Sequence, residues 1–482
     1  MSEAEGPRSP GDRRASIAID LGAESCRVSL LRWQNGVPEI QLVHRFGNGP
    51  VQRTDGLQWP LEQIVGGVEQ GLRTCAELAP EGVRSIAVDG WAVDYVRLND
   101  EGVPLAEPFC YRDERNVRAE AELHKRISVE RMREITGIQQ LSINTLYQLY
   151  ADRQAGYAPS RWLNLPEYML SRLGGEPVAE FTNATHTQLI DMHTRRWSEE
   201  IFRTAGLEME LAPRIVPPGT RLGKVRGPLQ EREAFRDTEL IAPACHDTAS
   251  AIAGIPALGD DWAYISSGTW SLVGALTDRP VDGAAVRADN FTNLGAVGGA
   301  NCFHKNVNGM WLLKQCESAW AEQGFHPGVA ELLRSCERLP PPPVLLEVDD
   351  PDLLLMGEMP RRINRQLAAR GAAPLDESPE GAPAFVSLIL YSLASRYAEV
   401  LSRVSQHTGK KLRRIFVVGG GSRNTLLNRL TAESTGLEVC CGSAESSTLG
   451  NFAVQLATLE GASSPATPEF AAEVYEWARR LS

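Results

Sequence analysis

The chain has 482 residues, more than one hydrophobic core can organise, so its length predicts two or three domains. Hydrophobic residues make up 43% and charged residues 23%, as in ordinary soluble globular proteins. The formal net charge of −12 argues against a nucleic-acid or anionic-membrane surface, because either would need a concentrated basic face.

The cysteines and the N-terminus indicate the compartment. The nine cysteines are scattered without the CxxC spacing of a zinc or redox site, which favours a reduced cytoplasmic protein. Residues 1–15 lack the apolar run of a signal peptide and are predicted to be a disordered tail. The most apolar stretch, 384–394, is too short to span a bilayer. The sequence leaves the oligomeric state open.

A β-hairpin is the first predicted element, over residues 17–33. Its turn consists of small residues, so backbone N–H groups can approach phosphate oxygens closely. Asp20, at the end of the first strand, is suited to hold a hydrated magnesium ion against those phosphates. The alternative is a plain hairpin turn. The segment is neither a P-loop nor a dinucleotide fingerprint, because both require a following helix.

Polar and aromatic residues follow the next predicted strand, 85–88. Asp89, Trp91 and Asp94 come directly after it, and Tyr111–Arg115 lies further along. Sugar pockets combine aromatic rings, which pack on the apolar sugar face, with polar groups that bind the hydroxyls. The alternative for each of these residues is a surface ion pair or a buried aromatic side chain.

A carboxylate among small residues, Asp247, lies in the segment 244–251 after the apolar run 240–243. Such a carboxylate at a strand-to-helix junction suits a general base, because substrate can approach it freely. The alternative is that Asp247 or Thr248 is the N-cap of a helix over 249–254. Local sequence favours neither interpretation.

A second hairpin, predicted over 262–276, repeats the arrangement of the first about half a chain later. This repetition indicates an ancient duplication, with one fold used twice around a central cleft. The turn Ser267-Gly268-Thr269 offers hydroxyls that can bind a terminal phosphate, although serine-rich turns are usually only turns.

The C-terminal part contains a helix predicted over 384–404 and a buried strand over 414–418. The triplet Gly419–Gly421 follows the strand and leaves the backbone open to a purine ring or a phosphate at the start of the next helix. The alternative is a tight strand-to-helix junction. The Pro- and Gly-rich stretches 340–343 and 371–383 are predicted surface loops.

An ordered set of motifs resembles the FGGY carbohydrate kinases. The motifs are DLGAES at Asp20, VDGWAVDY at Val88, YRDER at Tyr111, NTLYQL at Asn144, FTNATHTQL at Phe181, CHDTASA at Cys245, SSGTWSL at Ser266, KNVNGMWLL at Lys305, VVGGGSRNTLLN at Val417 and ESSTLGN at Glu445. The match covers almost everything from Ser16 to about Leu456. Within the family, HDTASA, SSGTWSL and NTLYQL are most similar to the members that phosphorylate L-rhamnulose on its 1-hydroxyl.

The resemblance implies an α/β protein with two ribonuclease-H-like domains, of the actin and hexokinase type, around a central cleft. We expect the disordered tail to be followed by a sugar-binding domain over 16–254 and a nucleotide-binding domain over 255–482. The implied ligands are ATP, Mg²⁺ and a small ketose, without nucleic acid or membrane.

The resemblance also implies roles for individual residues. The implied ATP-binding residues are Ala23, Glu24, Ser25, Cys26, Arg27, Thr269, Lys314 and Gly420. The implied sugar-binding residues are Ala92, His246, Asp247, Thr248 and Asn306. Asp247 is the implied proton acceptor, and Asp20 is expected near magnesium.

The sequence departs from the family pattern at four positions. Glu24 and Cys26 replace a Ser and a Gly of the phosphate loop. Ala92 replaces a Gly near the sugar, and Lys314 replaces a Gln near the nucleotide. Because like charges repel, Glu24 is expected to turn to solvent or to Arg27. An ammonium near ATP is favourable, so Lys314 fits.

The function expected from the resemblance is ATP-dependent phosphorylation of L-rhamnulose to L-rhamnulose 1-phosphate, in L-rhamnose catabolism. One alternative is a kinase for a related sugar, such as L-fuculose or L-xylulose. Another is a non-catalytic sugar- and nucleotide-binding regulator, prompted by Glu24 in the phosphate loop. An actin-like ATPase is a third, disfavoured because it leaves the sugar segments without a role.

Overall fold

The computed structural model describes residues 11–326 and 328–482. Residues 1–10 of the predicted disordered tail therefore lie outside the described residues, and the first strand already begins at Ala15. All nine cysteines lie within the described ranges, and none of them forms a disulfide.

The chain forms two compact units. The first contains the described residues up to Leu258 together with Leu276–Phe303 and Ser446–Ser482. The second contains Gly259–Ala275 and His304–Glu445. Two segments from the later part of the chain, Leu276–Phe303 and Ser446–Ser482, therefore belong to the first unit. The simpler sequence-based division at residue 254 stays a prediction.

The strands of the described chain alternate with helices in an α/β arrangement. They are β1 (Ala15–Leu21), β2 (Ser25–Gln34), β3 (Val37–Gly47), β4 (Val51–Arg53), β5 (Gly56–Gln58), β6 (Val83–Gly90), β7 (Tyr95–Leu98), β8 (Arg161–Asn164), β9 (Val178–Glu180), β10 (Ile190–Asp191), β11 (Arg196–Trp197), β12 (Arg214–Val216), β13 (Thr220–Lys224), β14 (Glu239–Ala242), β15 (Trp262–Ser267), β16 (Trp270–Thr277), β17 (Thr292–Gly295), β18 (Asn301–Asn308), β19 (Arg414–Val418) and β20 (Glu438–Cys441).

The α-helices follow the same chain order. They are α1 (Leu61–Leu78), α2 (Arg115–Leu123), α3 (Val129–Thr136), α4 (Thr145–Gln154), α5 (Leu165–Arg172), α6 (Phe181–Ala184), α7 (Glu199–Ala205), α8 (Asp247–Ala253), α9 (Ala284–Ala288), α10 (Trp311–Glu322), α11 (Val329–Cys336), α12 (Met359–Ala369), α13 (Ala382–Thr408), α14 (Thr425–Thr435), α15 (Ser446–Glu460) and α16 (Pro468–Leu481).

The first unit is built on a sheet with the strand order β13-β14-β6-β1-β2-β3. β1 pairs antiparallel with β2, which confirms the predicted hairpin, and parallel with β6. Every residue of β1 is buried because helices cover both faces of the sheet. Ile17 and Ile19 pack in one cluster with Ile64 of α1, whereas Ala18 packs on the opposite face with Phe452 of α15.

In the second unit, β18, β16, β15, β19 and β20 lie side by side in this order. β15 pairs antiparallel with β16, which confirms the second predicted hairpin, and parallel with β19. The helix predicted over 384–404 is α13, which extends a few residues further at both ends. It stops where Gly409 adopts a left-handed conformation with φ of 72°. The predicted loop 371–383 therefore overlaps the first turn of α13.

The segment Pro379–Thr408, which contains α13, is long and apolar enough to cross a membrane by length and composition alone. However, 67% of its most apolar window is buried inside the structure. Phe385, Ile389 and Leu393 of this helix are fully buried, as in the core helix of a globular unit.

Two glycines allow α8 and α15 to pack closely in the first unit. A Cβ atom at Gly254 would lie 2.5 Å from the carbonyl oxygen of Ser446. A Cβ atom at Gly450 would collide with the carbonyl oxygen of Ser250. Both obstacles are backbone atoms, so a larger residue at either position must displace one helix from the other.

We therefore expect Gly450→Ala to lower the free energy of unfolding by roughly 1–3 kcal/mol, because overpacking against backbone displaces α8. The matched control is Gly66→Ala in α1, where an added Cβ meets no atom within 4 Å. That substitution should stabilise the protein by up to about 1 kcal/mol, since alanine is the better helix former. Urea unfolding of the two variants checks the prediction, and equal stabilities would contradict it.

Candidate active site

In the first unit, the ends of β1 and β6 meet the junction between β14 and α8. The backbone N–H of Gly90 donates to the carbonyl of Cys245 at 2.9 Å, and that of Trp91 donates to the carbonyl of Leu21 at 3.0 Å. Gly90 is required at this junction, because a Cβ there would lie 2.7 Å from the Leu21 oxygen. The strand ends therefore bring Asp20, Asp89 and Asp247 into one region.

Asp20 and Asp89 are direct partners in the parallel register of β1 and β6. Oδ2 of Asp20 accepts hydrogen bonds from Arg27 Nη1 and from Ser447 Oγ, both at 2.8 Å. Burial raises the pKa of Asp20, and the Arg27 guanidinium opposes this rise, while the carboxylate of Asp247 adds to it. Arg27 and Ser447 thus stabilise the ionised form of a buried carboxylate.

Asp89 is fully buried, and its Oδ2 accepts a hydrogen bond from Asn451 Nδ2 at 2.8 Å. Burial raises the pKa of Asp89 well above its ordinary range, and the neighbouring carboxylates of Asp20 and Asp247 add to the shift. Asn451 in turn accepts a hydrogen bond from Gln455, which also donates to the Ile17 carbonyl in β1.

Asp247 is the first residue of α8, and the residue in the N-cap position is His246. The interpretation of Asp247 or Thr248 as the N-cap is therefore wrong. The Asp247 side chain is 35% exposed, so a substrate can reach it. Burial nevertheless raises the pKa of Asp247 to about 6, opposed by hydrogen bonds from Thr248. The Nε2 atom of His246 lies 3.3 Å from Asp247 Oδ1.

A layer of buried residues behind this junction holds its backbone in place. Oε2 of Glu180 accepts hydrogen bonds from the backbone N–H of Cys245 at 2.8 Å and from Thr182 Oγ1 at 2.5 Å. Thr182 Oγ1 also accepts the backbone N–H of His246 at 3.3 Å. Glu167 accepts the N–H of Glu180. Burial raises the pKa of Glu180 to about 8 and that of Glu167 to about 7.

The turn between β1 and β2 carries the residues expected at the phosphates. A Cβ at Gly22 would collide with the Ser25 carbonyl, so the turn requires glycine. Asn48 holds the turn from outside, because its Nδ2 donates to the Gly22 carbonyl at 3.0 Å. Ser25 Oγ is buried and has no hydrogen-bond partner within the described residues. A polar ligand at the turn would satisfy this hydroxyl.

The other residues of the turn differ in exposure. Glu24 is exposed and Ala23 is half-buried, whereas Cys26 is fully buried within β2. The Cys26 thiol lies 3.7 Å from the Gly22 carbonyl. Since Cys26 is part of a regular strand, a glycine is not needed at this position, and the turn keeps its backbone N–H groups.

The segment after β6 is held by internal hydrogen bonds. Asp94 accepts from the indole N–H groups of Trp59 at 2.5 Å and Trp91 at 3.0 Å. Burial raises the pKa of Asp94 to about 6. Val93 has a φ of 73°, which is strained for a β-branched residue, and Thr145 donates to its carbonyl at 2.7 Å. Asp94 and Trp91 are thus parts of a buried network, and Ala92 beside them is buried.

The second unit carries the remaining predicted residues. Thr269 lies in the turn between β15 and β16, and its carbonyl accepts the N–H of Trp311 at the start of α10. Lys314 is exposed one turn further along α10, and Asn306 is half-buried in β18. Gly420 is exposed with no atom within 4 Å of an added Cβ.

Glycine permits the loop after β19 to approach the turn after β15. A Cβ at Gly419 would lie 2.9 Å from the carbonyl oxygen of Ser267, and one at Gly421 would collide with Ser267 Oγ. The glycine triplet and the Ser267–Thr269 turn are therefore neighbours, which leaves Gly420 open on the surface of the second unit.

The structure therefore brings the predicted residues together in two groups. Asp20, Arg27 and Asp247 interact within the first unit, and Thr269 lies near the glycine triplet within the second. Sequence reasoning missed several supporting residues in the first unit, namely Glu167, Glu180, Thr182, His186, Ser447, Asn451 and Gln455. Most of them belong to the FTNATHTQL and ESSTLGN motifs quoted above, so these motifs could have pointed to them.

A metal ion bound directly by the protein needs several ligating side chains close together, and the structure describes residues 11–326 and 328–482. Within these ranges, no group of three or more His, Cys, Asp or Glu side chains is arranged to hold a metal ion. A magnesium ion would therefore depend on water and ligand oxygens for most of its coordination.

Comparisons with known proteins identify relatives over nearly the whole chain. The N-terminal domain model of the FGGY family of carbohydrate kinases matches residues 15–254, and the C-terminal domain model matches 263–459. A rhamnulokinase of Enterococcus faecalis is 36% identical, over 92% of this chain and 89% of that protein. A rhamnulokinase of Bacteroides thetaiotaomicron is 34% identical, over 92% of this chain and 90% of that protein.

A solved structure shows the same fold. The ligand-bound xylulose kinase of Lactobacillus acidophilus matches with a TM-score of 0.76, over 97% of this chain and 96% of that one. Its sequence identity of 15% is low, so this likeness concerns the fold alone. It confirms the predicted two-domain α/β kinase fold.

Because Glu180 is buried, its protonation should make the free energy of unfolding depend on pH. Its folded-state pKa of about 8 exceeds the ordinary value of 4.5, so the folded protein binds this proton more tightly. The resulting stabilisation is complete below pH 4.5 and is lost as pH rises through 8. Relative to Glu180→Gln, the wild type should lose about 1.4 kcal/mol per pH unit across this window.

Urea unfolding at a series of pH values, for the wild type and the variant, measures this difference. The control is Glu210→Gln at an exposed position, whose stability should parallel the wild type. A constant difference between wild type and Glu180→Gln from pH 5 to 9 would show that Glu180 stays ionised when folded.

Proposed function

The chain belongs to the FGGY family of carbohydrate kinases, and from this premise we propose that it transfers the γ-phosphoryl group of ATP to the 1-hydroxyl of L-rhamnulose. The observation that carries the chemistry is the reachable carboxylate of Asp247 at the start of α8. The observation that carries the substrate is the similarity to two rhamnulokinases over 92% of the chain.

Asp247 is the proposed general base. With a pKa of about 6 it is ionised at neutral pH, yet basic enough to accept a hydroxyl proton as the new bond forms. In the step, the sugar oxygen bonds to the γ-phosphorus, its proton passes to Asp247, and the bond to the β-phosphate oxygen breaks to release ADP. Such transfer needs little covalent help, so alignment and charge neutralisation supply most of the rate.

We propose ATP contacts within each unit taken by itself. The turn from Ala23 to Arg27 supplies backbone N–H groups and the unsatisfied Ser25 hydroxyl for phosphate oxygens. Glu24 in the same turn is exposed. In the second unit, the proposed contacts are the Thr269 hydroxyl, the open backbone of Gly420 and the Lys314 ammonium.

The residues of the first unit fit a magnesium ion that keeps most of its water. Asp20 and Asp89 are paired in register, and Asp247 is close enough to raise the pKa of both. This concentration of carboxylates favours a divalent cation. We propose that Asp20 holds the ion through water, and when bound the ion offsets phosphate charge. Arg27 meanwhile orients Asp20 and favours its ionised form.

We propose that the sugar contacts Ala92, His246, Thr248 and Asn306 in addition to the base. His246 and Thr248 flank Asp247 directly, so hydrogen bonds to the sugar would align its reacting hydroxyl. Ala92 contributes a buried methyl group where the family has glycine, and it limits the size of the sugar at that point. We propose that the activity takes place in the cytoplasm, which the scattered cysteines without CxxC spacing favour.

Asp247→Asn is expected to lower kcat by about 10²–10⁴-fold, because the amide cannot accept the hydroxyl proton. Affinities for sugar and ATP, measured by calorimetry, should stay within a few-fold of the wild type. The control is Asp237→Asn, an exposed carboxylate paired with Lys224, which should leave kcat unchanged. Turnover of Asp247→Asn within tenfold of wild type would remove Asp247 from the mechanism.

A coupled assay of ADP release over a panel of sugars tests the substrate. We expect a higher kcat/KM for L-rhamnulose than for L-fuculose, L-xylulose, D-xylulose or glycerol. A better rate with one of the other sugars would reassign the substrate within the family. Binding of sugar and ATP without ADP release from any of them would instead identify a non-catalytic regulator.

A further inference from the structure

A second histidine, His186, lies behind His246. It belongs to the 3-10 turn Thr185–Thr187 that follows α6, and no role was expected for it. Its Nε2 atom is 3.0 Å from Nδ1 of His246, and the two ring centroids are 3.9 Å apart. The opposite nitrogen of His246, Nε2, is 3.3 Å from Asp247 Oδ1. His246 therefore contacts His186 through Nδ1 and Asp247 through Nε2.

The groups that face the two ring nitrogens of His246 decide which nitrogen carries the proton. An ionised carboxylate only accepts, so a lone pair of His246 facing Oδ1 at 3.3 Å would be repelled. When His246 is neutral, its single ring proton therefore lies on Nε2. Its Nδ1 atom then carries the lone pair and accepts a hydrogen bond, which His186 donates from its own Nε2.

We propose that His186 is a positioning residue that fixes His246 in the Nε2–H tautomer and holds its ring against Asp247. This proposal deepens the proposed kinase function, on which it rests for its effect on turnover. A fixed N–H group then faces the base and the sugar oxygen beside it. The donor keeps the sugar oxygen aligned while its proton moves to Asp247, so no rearrangement is needed during the transfer.

The surroundings of His186 suit a group that stays neutral and stationary. Burial lowers the pKa of His186 well below its ordinary range, and the neighbouring His246 lowers it further. Asn144 Nδ2 donates to the backbone carbonyl of His186 at 2.9 Å. Thr182, from α6 just before the turn, accepts the backbone N–H of His246 at 3.3 Å. One segment of the chain therefore holds both the backbone and the ring of His246.

Two substitutions separate the hydrogen bond from the space that the ring fills. His186→Phe keeps a ring of similar size but lacks the donor. His186→Gln keeps an amide N–H at the reach of the imidazole Nε2. The matched control is His193→Phe, an exposed histidine a few residues further along, which should behave as the wild type.

The first measurement is the tautomer of His246 in the full chain without sugar or ATP. Long-range ¹H–¹⁵N correlation spectra of [¹⁵N]histidine-labelled protein, assigned by loss of the signal in His246→Asn, report it. We expect the Nε2–H form in the wild type, in His186→Gln and in His193→Phe. We expect a mixture of tautomers in His186→Phe. Because no substrate is present, this result does not depend on the proposed kinase function.

The second measurement is steady-state kinetics. His186→Phe should lose roughly ten- to a hundredfold in kcat, whereas His186→Gln should recover most of this loss. Affinity for ATP should be unchanged in both, and melting temperatures show whether each variant folds. An imidazolium or an Nδ1–H tautomer of His246 in the wild type would overturn the proposal. Equal kcat values for the two variants would also overturn it, even if the kinase activity itself is established.

Discussion

The parallel register of β1 and β6 places two carboxylates, Asp20 and Asp89, side by side in the interior of the first unit. Burial raises the pKa of both, and the nearby Asp247 adds to the repulsion between like charges. Such a group is stable only where donors compensate it. Arg27 and Ser447 bind Asp20, and Asn451 binds Asp89. Helix α15, which supplies two of these donors, therefore stabilises the pairing of β1 with β6.

The same requirement explains the close packing of α8 and α15. Asn451, which binds Asp89, directly follows Gly450, where the backbones of α15 and α8 leave no room for a Cβ atom. α8 begins at Asp247, so the glycine contact also sets the position of the proposed base. The stability of the helix pair and the position of the proposed base, Asp247, are consequently linked through α8.

Behind the proposed base, the chain again uses buried ionisable groups as supports. Glu180 binds the backbone N–H of Cys245, Thr182 binds that of His246, and His186 binds its ring. Each of these hydrogen bonds fixes an atom within two residues of Asp247. A protonated glutamate and a neutral histidine can remain buried at neutral pH without an unpaired charge. Glu180, Thr182 and His186 therefore provide directional hydrogen bonds but little net charge next to the carboxylate of the proposed base, Asp247.

The sequence by itself determined the two hairpins, the strand β19, the core helix α13 and the kinase family, because alternation, helical spacing and motif order are local properties. It also singled out Asp20 and Asp247. Only the tertiary structure decided that Asp247 starts α8 instead of capping it, and that Trp91 and Asp94 bind each other. The supporting hydrogen bonds of Glu180, His186 and Asn451 also became evident only in the tertiary structure. Their partners lie up to hundreds of residues away, and burial is the largest cause of the shifted pKa values of Glu180 and His186. Residue spacing along the chain reveals neither these long-range contacts nor the burial that removes water from the ionisable groups.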